Sequence, residues 1–179
     1  MTLLEVPVVP VRVIGLAVDS RMQPVVLLTP LDVGDGPRVM VPIWVGTQEA
    51  ASISVAVNGE DTPRPLSHDL MRTLLESVGA SVDRADVTRI EDGTFYAELR
   101  LTTRDGPVTL DCRPSDAIAL VSRIGAPLFV AESVLSDAGV LEEVDEDEAD
   151  DEPDPATAEE KVAEFRRFLD DVDPEDFQG

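Results

Sequence analysis

Several residue types that carry familiar chemistry are nearly missing from this chain. Among 179 residues there is one cysteine and one histidine, and aromatic residues make up 4%. Lysine occurs once, at Lys161. A lone cysteine, Cys112, excludes an intramolecular disulfide framework and a cysteine-cluster zinc site. A lone histidine, His68, excludes a two-histidine acid–base mechanism. No run of about 18 apolar residues occurs, and no basic-then-apolar leader opens the chain. A soluble cytoplasmic protein with no membrane contact is the expectation. A GxSxG elbow, a Walker A loop and a GxGxxG after a strand are also missing.

What is abundant is acid. The formal charge is −23, and it is unevenly spread. Residues 1–140 hold 11 arginines against 19 Asp and Glu, while residues 141–179 hold three basic against 18 acidic residues. The body therefore stands at −8 and the last 39 residues at −15. A general electrostatic grip on nucleic acid uses clustered Lys and Arg, and these totals argue against one.

The composition divides the chain into three. Residues 1–140 carry the apolar patterning of one domain. The run "EEVDEDEADDEPDP" cannot bury a core, so 141–156 reads as a solvated linker. Residues 157–179 regain helical spacing through Val162, Phe165, Phe168 or Leu169, and Val172. That short amphipathic stretch reads either as a docking element, with its own body or a protein partner as target, or as a frayed tail with a little helicity.

Within the body, "VPVRVIGLAV" and "PVVLLTPL" read as strands broken by "DSRMQ". The strand "RVMVPIWVG" is apolar on both faces and so is expected to be covered twice. Pro42 within it indicates an edge or a bulge. "TQEAASISVAVNG" has helical spacing, with Thr47 as N-cap and Asn58-Gly59 as the stop. "SHDLMRTLLESVG" is a clearer helix, capped by Ser67, striped by Leu70, Leu74 and Val78, and ended by Gly79. A meander follows, in which Phe95, Ala97, Leu99 and Leu101 share a face. Val108, Leu110 and Cys112 form the apolar face of its partner strand, which makes Cys112 a buried, inert thiol. Trp44 reads as core. The sum is an α+β fold: a mixed, largely antiparallel sheet with helices packed on it.

Two helices begin alike, with Arg64-Pro65-Leu66-Ser67-His68-Asp69 and Arg113-Pro114-Ser115-Asp116. Capping explains much of this, since proline suits the first turn and aspartate complements the positive helix end. Yet His68 stands beside Asp69, and Asp111, Arg113 and Asp116 place three charges at one strand-to-helix junction. Helix N-termini also bind phosphate or carboxylate. If the two starts meet, Arg64, Arg113 and Ser115 would hold an anion, and Asp69, Asp111 and Asp116 could hold Mg²⁺ or Mn²⁺. Lone charges such as Arg123 read as solvated or paired.

Five ordered blocks, "VPIWVGTQEAASI", "RPLSHDLM", "DGTFYAEL", "DCRPSDAIALVSR" and "APLFVAESVL", closely resemble the bifunctional nuclease family. The ending "FLDDVDPEDF" is similar to that of its bacterial members. The UVR motif of plant members is not found, and Ser67 stands where threonine is usual. The resemblance implies a compact α+β domain that tends to dimerise and a nuclease acting on RNA and DNA. It carries over to Glu49, His68, Asp69, Asp111, Arg113, Ser115 and Asp116.

Three functions stay open at this level. One is a metal-assisted phosphodiesterase with Glu49, His68, Asp69 and Asp116 as catalytic groups, His68 acting as general base or positioning water. It would favour short or single-stranded substrates, because the acidic body repels long polyanions. Another is a non-catalytic nucleotide- or anion-binding module whose tail helix docks on a partner. In the last, both helix starts are merely capped and the dimer surface matters. Whether the two starts meet is a question of tertiary structure.

Overall fold

The computed structural model describes residues 7–32 and 38–142. The acidic linker and terminal helix expected from the sequence lie outside the described residues, apart from residues 141 and 142. These two belong to the sheet, whose last strand runs past the body boundary expected at 140.

Two antiparallel meanders form the sheet. The first is β1 (Val8–Val18), β2 (Pro24–Pro30) and β3 (Arg38–Trp44). The polar break between β1 and β2 is a built turn. The Asp19 carboxylate accepts the backbone N–H groups of Arg21 and Gln23 at 2.9 and 2.8 Å, and the Trp44 indole N–H at 3.1 Å. Trp44 is half-buried with its polar tip satisfied.

The second meander is β4 (Ser81–Glu91), β5 (Thr94–Thr103) and β6 (Gly106–Cys112). Its first hairpin turns on Asp92 and Gly93, both at positive φ (49° and 71°), as a two-residue connection with the right twist requires. The strand β7 (Leu128–Ala131) lies parallel to β4 and antiparallel to β1, and so fuses the meanders. With β8 (Val140–Glu142) on β3, the order is β6-β5-β4-β7-β1-β2-β3-β8. This is the mixed, largely antiparallel α+β architecture expected. β3 is buried on both faces, as its apolar pattern required, and Pro42 lies beyond the residues that β8 pairs.

Helix α3 (Pro114–Ile124) is central. Pro114 opens it, Gly125 at φ 76° closes it, and Ala117, Ile118, Ala119, Leu120 and Val121 are all buried. It packs on β4 and β5, with α1 (Thr47–Asn58) and α2 (Ser67–Ser77) against its sides. Burying a side chain such as Ile118 contributes about 1.5–3 kcal/mol. The short α4 (Glu132–Ala138) packs against β3, β4 and β7.

Some local expectations need correction. Helix α1 starts at Thr47 with Gly46 as its N-cap. A Cβ at Gly46 would collide with the Glu49 carboxylate, which folds back over the helix start. Ser67 is likewise inside α2, and Leu66 occupies the cap position. The stabilising bond runs the other way, from the Leu66 N–H to Asp69 Oδ2 at 2.8 Å. The stripe Leu70, Leu74 and Val78 faces outward, while His68 is the buried residue of α2. Val108 and Leu110 are also exposed, because β6 is the outermost strand and α3 covers only β4 and β5.

Candidate functional site

The two similar helix starts do meet. The side of α2 that turns inward carries His68 and Asp69, and both reach α3. His68 Nε2 lies 3.2 Å from Asp116 Oδ1 in the first turn of α3. Two turns later on the same helix face, Arg123 Nε donates to Asp69 Oδ1 at 2.9 Å. A separation of seven residues on a helix places Asp116 and Arg123 on one side, so α2 is clamped along α3 at both points.

Helix α1 closes the network. His68 Nδ1 lies 2.9 Å from Ser52 Oγ, and Arg123 NH2 donates to the same oxygen at 3.0 Å. At the other end, Arg113 lies across the opening. Its Nε and NH2 donate to Asp116 Oδ2 and Oδ1 at 2.8 and 3.1 Å, and its NH1 lies 2.9 Å from Glu49 Oε1. A continuous chain of polar contacts therefore runs from Glu49 through Arg113, Asp116, His68, Ser52 and Arg123 to Asp69.

Burial grades along this chain. The Arg123 side chain is 4% exposed, His68 is buried, Asp116 is 27% exposed and Arg113 is 65% exposed. The inner end is thus structural in character, and the outer end faces water. Burial works against the Asp116 carboxylate, but hydrogen bonds from Arg113 and His68 outweigh it and hold its pKa below the ordinary value. At Asp69, burial is likewise outweighed by the Leu66 N–H and by Arg123. The Arg113 guanidinium is shifted upward by its bonds to Asp116 and Glu49. Cys112, half-buried just before α3, is pushed up to about 11 by burial and then by the nearby charges of Asp116, Asp111 and Glu98. Such a thiol stays protonated and unreactive at neutral pH.

The remaining expected groups stand apart. Asp111 is exposed on β6 opposite Glu98. Arg64 is exposed in the loop before α2, and Ser115 is buried in the first turn of α3. The expected ligand set Asp69, Asp111 and Asp116 does not fit a divalent cation here. Asp69 is engaged by Arg123 and Asp116 by Arg113, and no group of three or more His, Cys, Asp or Glu residues among the described residues could hold one.

Two members of the network, Ser52 and Arg123, were not among the expected site residues, although Arg123 is paired, as one of its two expected states had it. Ser52 lies three residues after Glu49, and Arg123 lies seven after Asp116, so helical spacing did mark both as sharing the relevant faces. Neither stands near a helix start.

Comparison with known proteins places the site in context. The model of the bifunctional nuclease domain matches residues 30–143, which include all seven residues of the network. The chain belongs to the bifunctional nuclease domain family. An uncharacterised protein of Mycobacterium tuberculosis is 41% identical over 170 residues, covering 94% of this chain and 98% of its own length. Bifunctional nuclease 2 of Oryza sativa subsp. japonica is 26% identical, covering 68% of this chain but 38% of its own length. Bifunctional nuclease 2 of Arabidopsis thaliana is 27% identical over 56% of this chain and 31% of its own length. Nuclease activity is thus indicated for the bifunctional nuclease domain at the level of the family, and the plant relatives are much longer than the shared domain. Among the described residues, no helix is long and apolar enough to cross a membrane.

Proposed function

We propose that this protein is a nuclease that hydrolyses phosphodiester bonds in RNA and DNA, with its centre where α2 and α3 begin. One observation carries the reading: His68, Asp116, Arg113 and Glu49 are drawn from three helices into one hydrogen-bonded group whose outer end is open to water. Exposed Arg113 is the phosphate contact, since a guanidinium matches phosphate oxygens in a bidentate way. It can exchange Glu49 for a phosphate while keeping Asp116. His68 and Asp116 orient the attacking water or the reacting phosphate. Asp69 frames the site by holding Arg123 and does not touch the substrate.

Charge sets the substrate preference. An acidic body with a still more acidic terminal segment repels long polyanions, which favours short or single strands. A homodimer belongs to the same proposal. The outward stripe of α2 and the bare apolar face of β6 expose Leu70, Met71, Leu74, Val78, Val108 and Leu110. Replacing Leu74 and Leu110 with Glu should lower the molar mass measured by light scattering to that of a single chain. A wild type already at single-chain mass would remove the dimer.

The nuclease test is cleavage of a short fluorescent RNA or DNA strand with Mg²⁺, Mn²⁺ or EDTA. Wild type is compared with Asp116→Asn and His68→Ala, each confirmed as folded by circular dichroism. Cutting reduced by about 100-fold or more in both variants is the expected result. Equal cutting in all three proteins would end the reading.

A second reading is a non-catalytic module that captures a nucleotide or small anion. It is favoured by the saturation of the network, in which each group already has a partner within the chain. A thermal shift with nucleotides in the absence of metal, together with no cleavage, would select it.

A further inference from the structure

For a neutral His68, the surrounding hydrogen bonds favour one arrangement of protons. Asp116 is ionised at neutral pH and can only accept, so its 3.2 Å contact with Nε2 needs a hydrogen on that nitrogen. On the other side, Ser52 Oγ already receives an N–H from Arg123 NH2 at 3.0 Å. A guanidinium has no lone pair to offer in return. Because a neutral ring with its hydrogen on Nε2 leaves Nδ1 as an acceptor, the hydroxyl hydrogen of Ser52 is directed at Nδ1, 2.9 Å away. Arg123 meanwhile fills one of the two lone pairs of the oxygen. A neutral imidazole carrying its hydrogen on Nε2 has a bare lone pair on Nδ1, and Ser52 fills it.

Arg123 cannot swing away to relax this order. Its Nε is tied to Asp69 Oδ1 and its NH1 to the Ala119 carbonyl, both at 2.9 Å, and its side chain is almost wholly buried. In the alternative tautomer Nδ1–H would donate to the second lone pair of Ser52 Oγ, and the Ser52 hydrogen would lose this acceptor. It would also turn a lone pair on Nε2 towards a carboxylate.

We propose that Ser52 and Arg123 are positioning residues that lock neutral His68 as the Nε2–H tautomer, so that His68 enters the site as a hydrogen-bond donor and not as a general base. The proton arrangement stands on geometry alone, and its catalytic consequence rests on the nuclease reading. In that setting, a non-bridging phosphoryl oxygen that takes the place of Asp116 Oδ1 meets a neutral N–H donor. Charge developing on that oxygen is stabilised with no proton transferred.

The chain has one histidine, so imidazole ¹⁵N resonances of the labelled full chain report this ring alone. Spectra are recorded at rising pH until they stop changing, which defines the neutral ring. Wild type should show Nε2 as the protonated nitrogen and Nδ1 as the bare one. Asp116→Ala removes the acceptor at Nε2, and the same tautomer should persist because Ser52 and Arg123 remain. Adding Ser52→Ala should move both resonances toward the averaged values of a histidine in an unstructured peptide. A protonated Nδ1 in wild type, or averaging already present in Asp116→Ala, would overturn the proposal. In the cleavage assay, Ser52→Ala should lower kcat by on the order of tenfold with KM unchanged. A chain that does not cleave but shows the expected spectra loses the nuclease reading and keeps the lock.

Discussion

Of the carboxylates that arginine grips, Asp86 on the sheet and Asp116 at the start of α3 differ most usefully in what else touches them. Asp86 alternates with Ala85 and Val87 along β4. It lies on the face away from α3, with Arg84 Nε and Arg100 Nε at 3.0 and 2.7 Å. It is 1% exposed. Arg84 also lies over the Phe129 ring at 5.0 Å. Although Arg84 Nε is close to both oxygens, its hydrogen points at Oδ2, and Oδ1 is left without a hydrogen bond. Every partner of Asp86 keeps its charge at any ordinary pH. Asp116 has instead one guanidinium partner, Arg113, which is largely in water, and one imidazole partner, His68, which is held by a second helix. The first cluster locks strands together. The second combines a guanidinium, an imidazole and access to solvent, the features on which the proposed nuclease centre rests.

Disrupting Asp86 should produce the largest effect. Asp86→Ala leaves two guanidiniums beside each other over the sheet and should cost about 3 kcal/mol of stability. Urea unfolding measures this loss, and any nuclease activity per folded molecule should stay at the wild-type level. Loss of activity in Asp86→Ala with stability intact would mean that Asp86 serves the site and not the sheet.

Asp116→Asn should behave in the opposite way, costing about 1 kcal/mol of stability while removing function. It also sharpens the pH dependence. The folded-state pKa of Asp116 is lowered relative to an unfolded aspartate near ~3.9. Its stabilisation is therefore complete above that value and disappears as pH falls through the folded pKa. The stability gap between wild type and Asp116→Asn should be full at pH 7 and shrink below about pH 4, as read from urea midpoints across that range. A gap that does not change with pH would mean that Asp116 is not held by charge.

Arg113→Gln should have the smallest effect on folding. With most of its side chain in water, its ion pairs are screened and should contribute no more than about 0.5 kcal/mol. Its effect on substrate affinity should be far larger, measured as a rise in KM for the short strand. An unchanged KM would take Arg113 out of phosphate binding.

Much of the fold could be read in advance because it depends on local pattern. Strict alternation in β5, the turn at Asp92-Gly93, and the αL glycines after α1 and α3 all follow from the residues themselves. Reading failed where a pattern had two solutions. Leu70, Leu74 and Val78 form a stripe that an isolated helix would turn inward, yet His68 is drawn in by Ser52 and Asp116 and the stripe is left outside. Val108 and Leu110 alternate as a buried face should, but nothing in their own sequence shows that β6 ends the sheet. At the site, the groups near the helix starts were legible as chemistry-bearing types. Their partners Ser52 and Arg123 were not, because each lies mid-helix or late in its helix and takes its meaning from another element.

The sequence by itself determined the α+β architecture, the separation of an apolar body from an acidic terminal segment, and the residues from which a site could be drawn. Periodicity, turn chemistry and charge are properties of neighbours in the chain, so they are written locally. Only the tertiary structure decided that the starts of α2 and α3 meet. It alone placed Asp69 on Arg123, and gave the one histidine a serine on one nitrogen and a carboxylate on the other. Those choices depend on how α1 and α2 pack against α3, across separations of 16 to 71 residues, where no local pattern reaches.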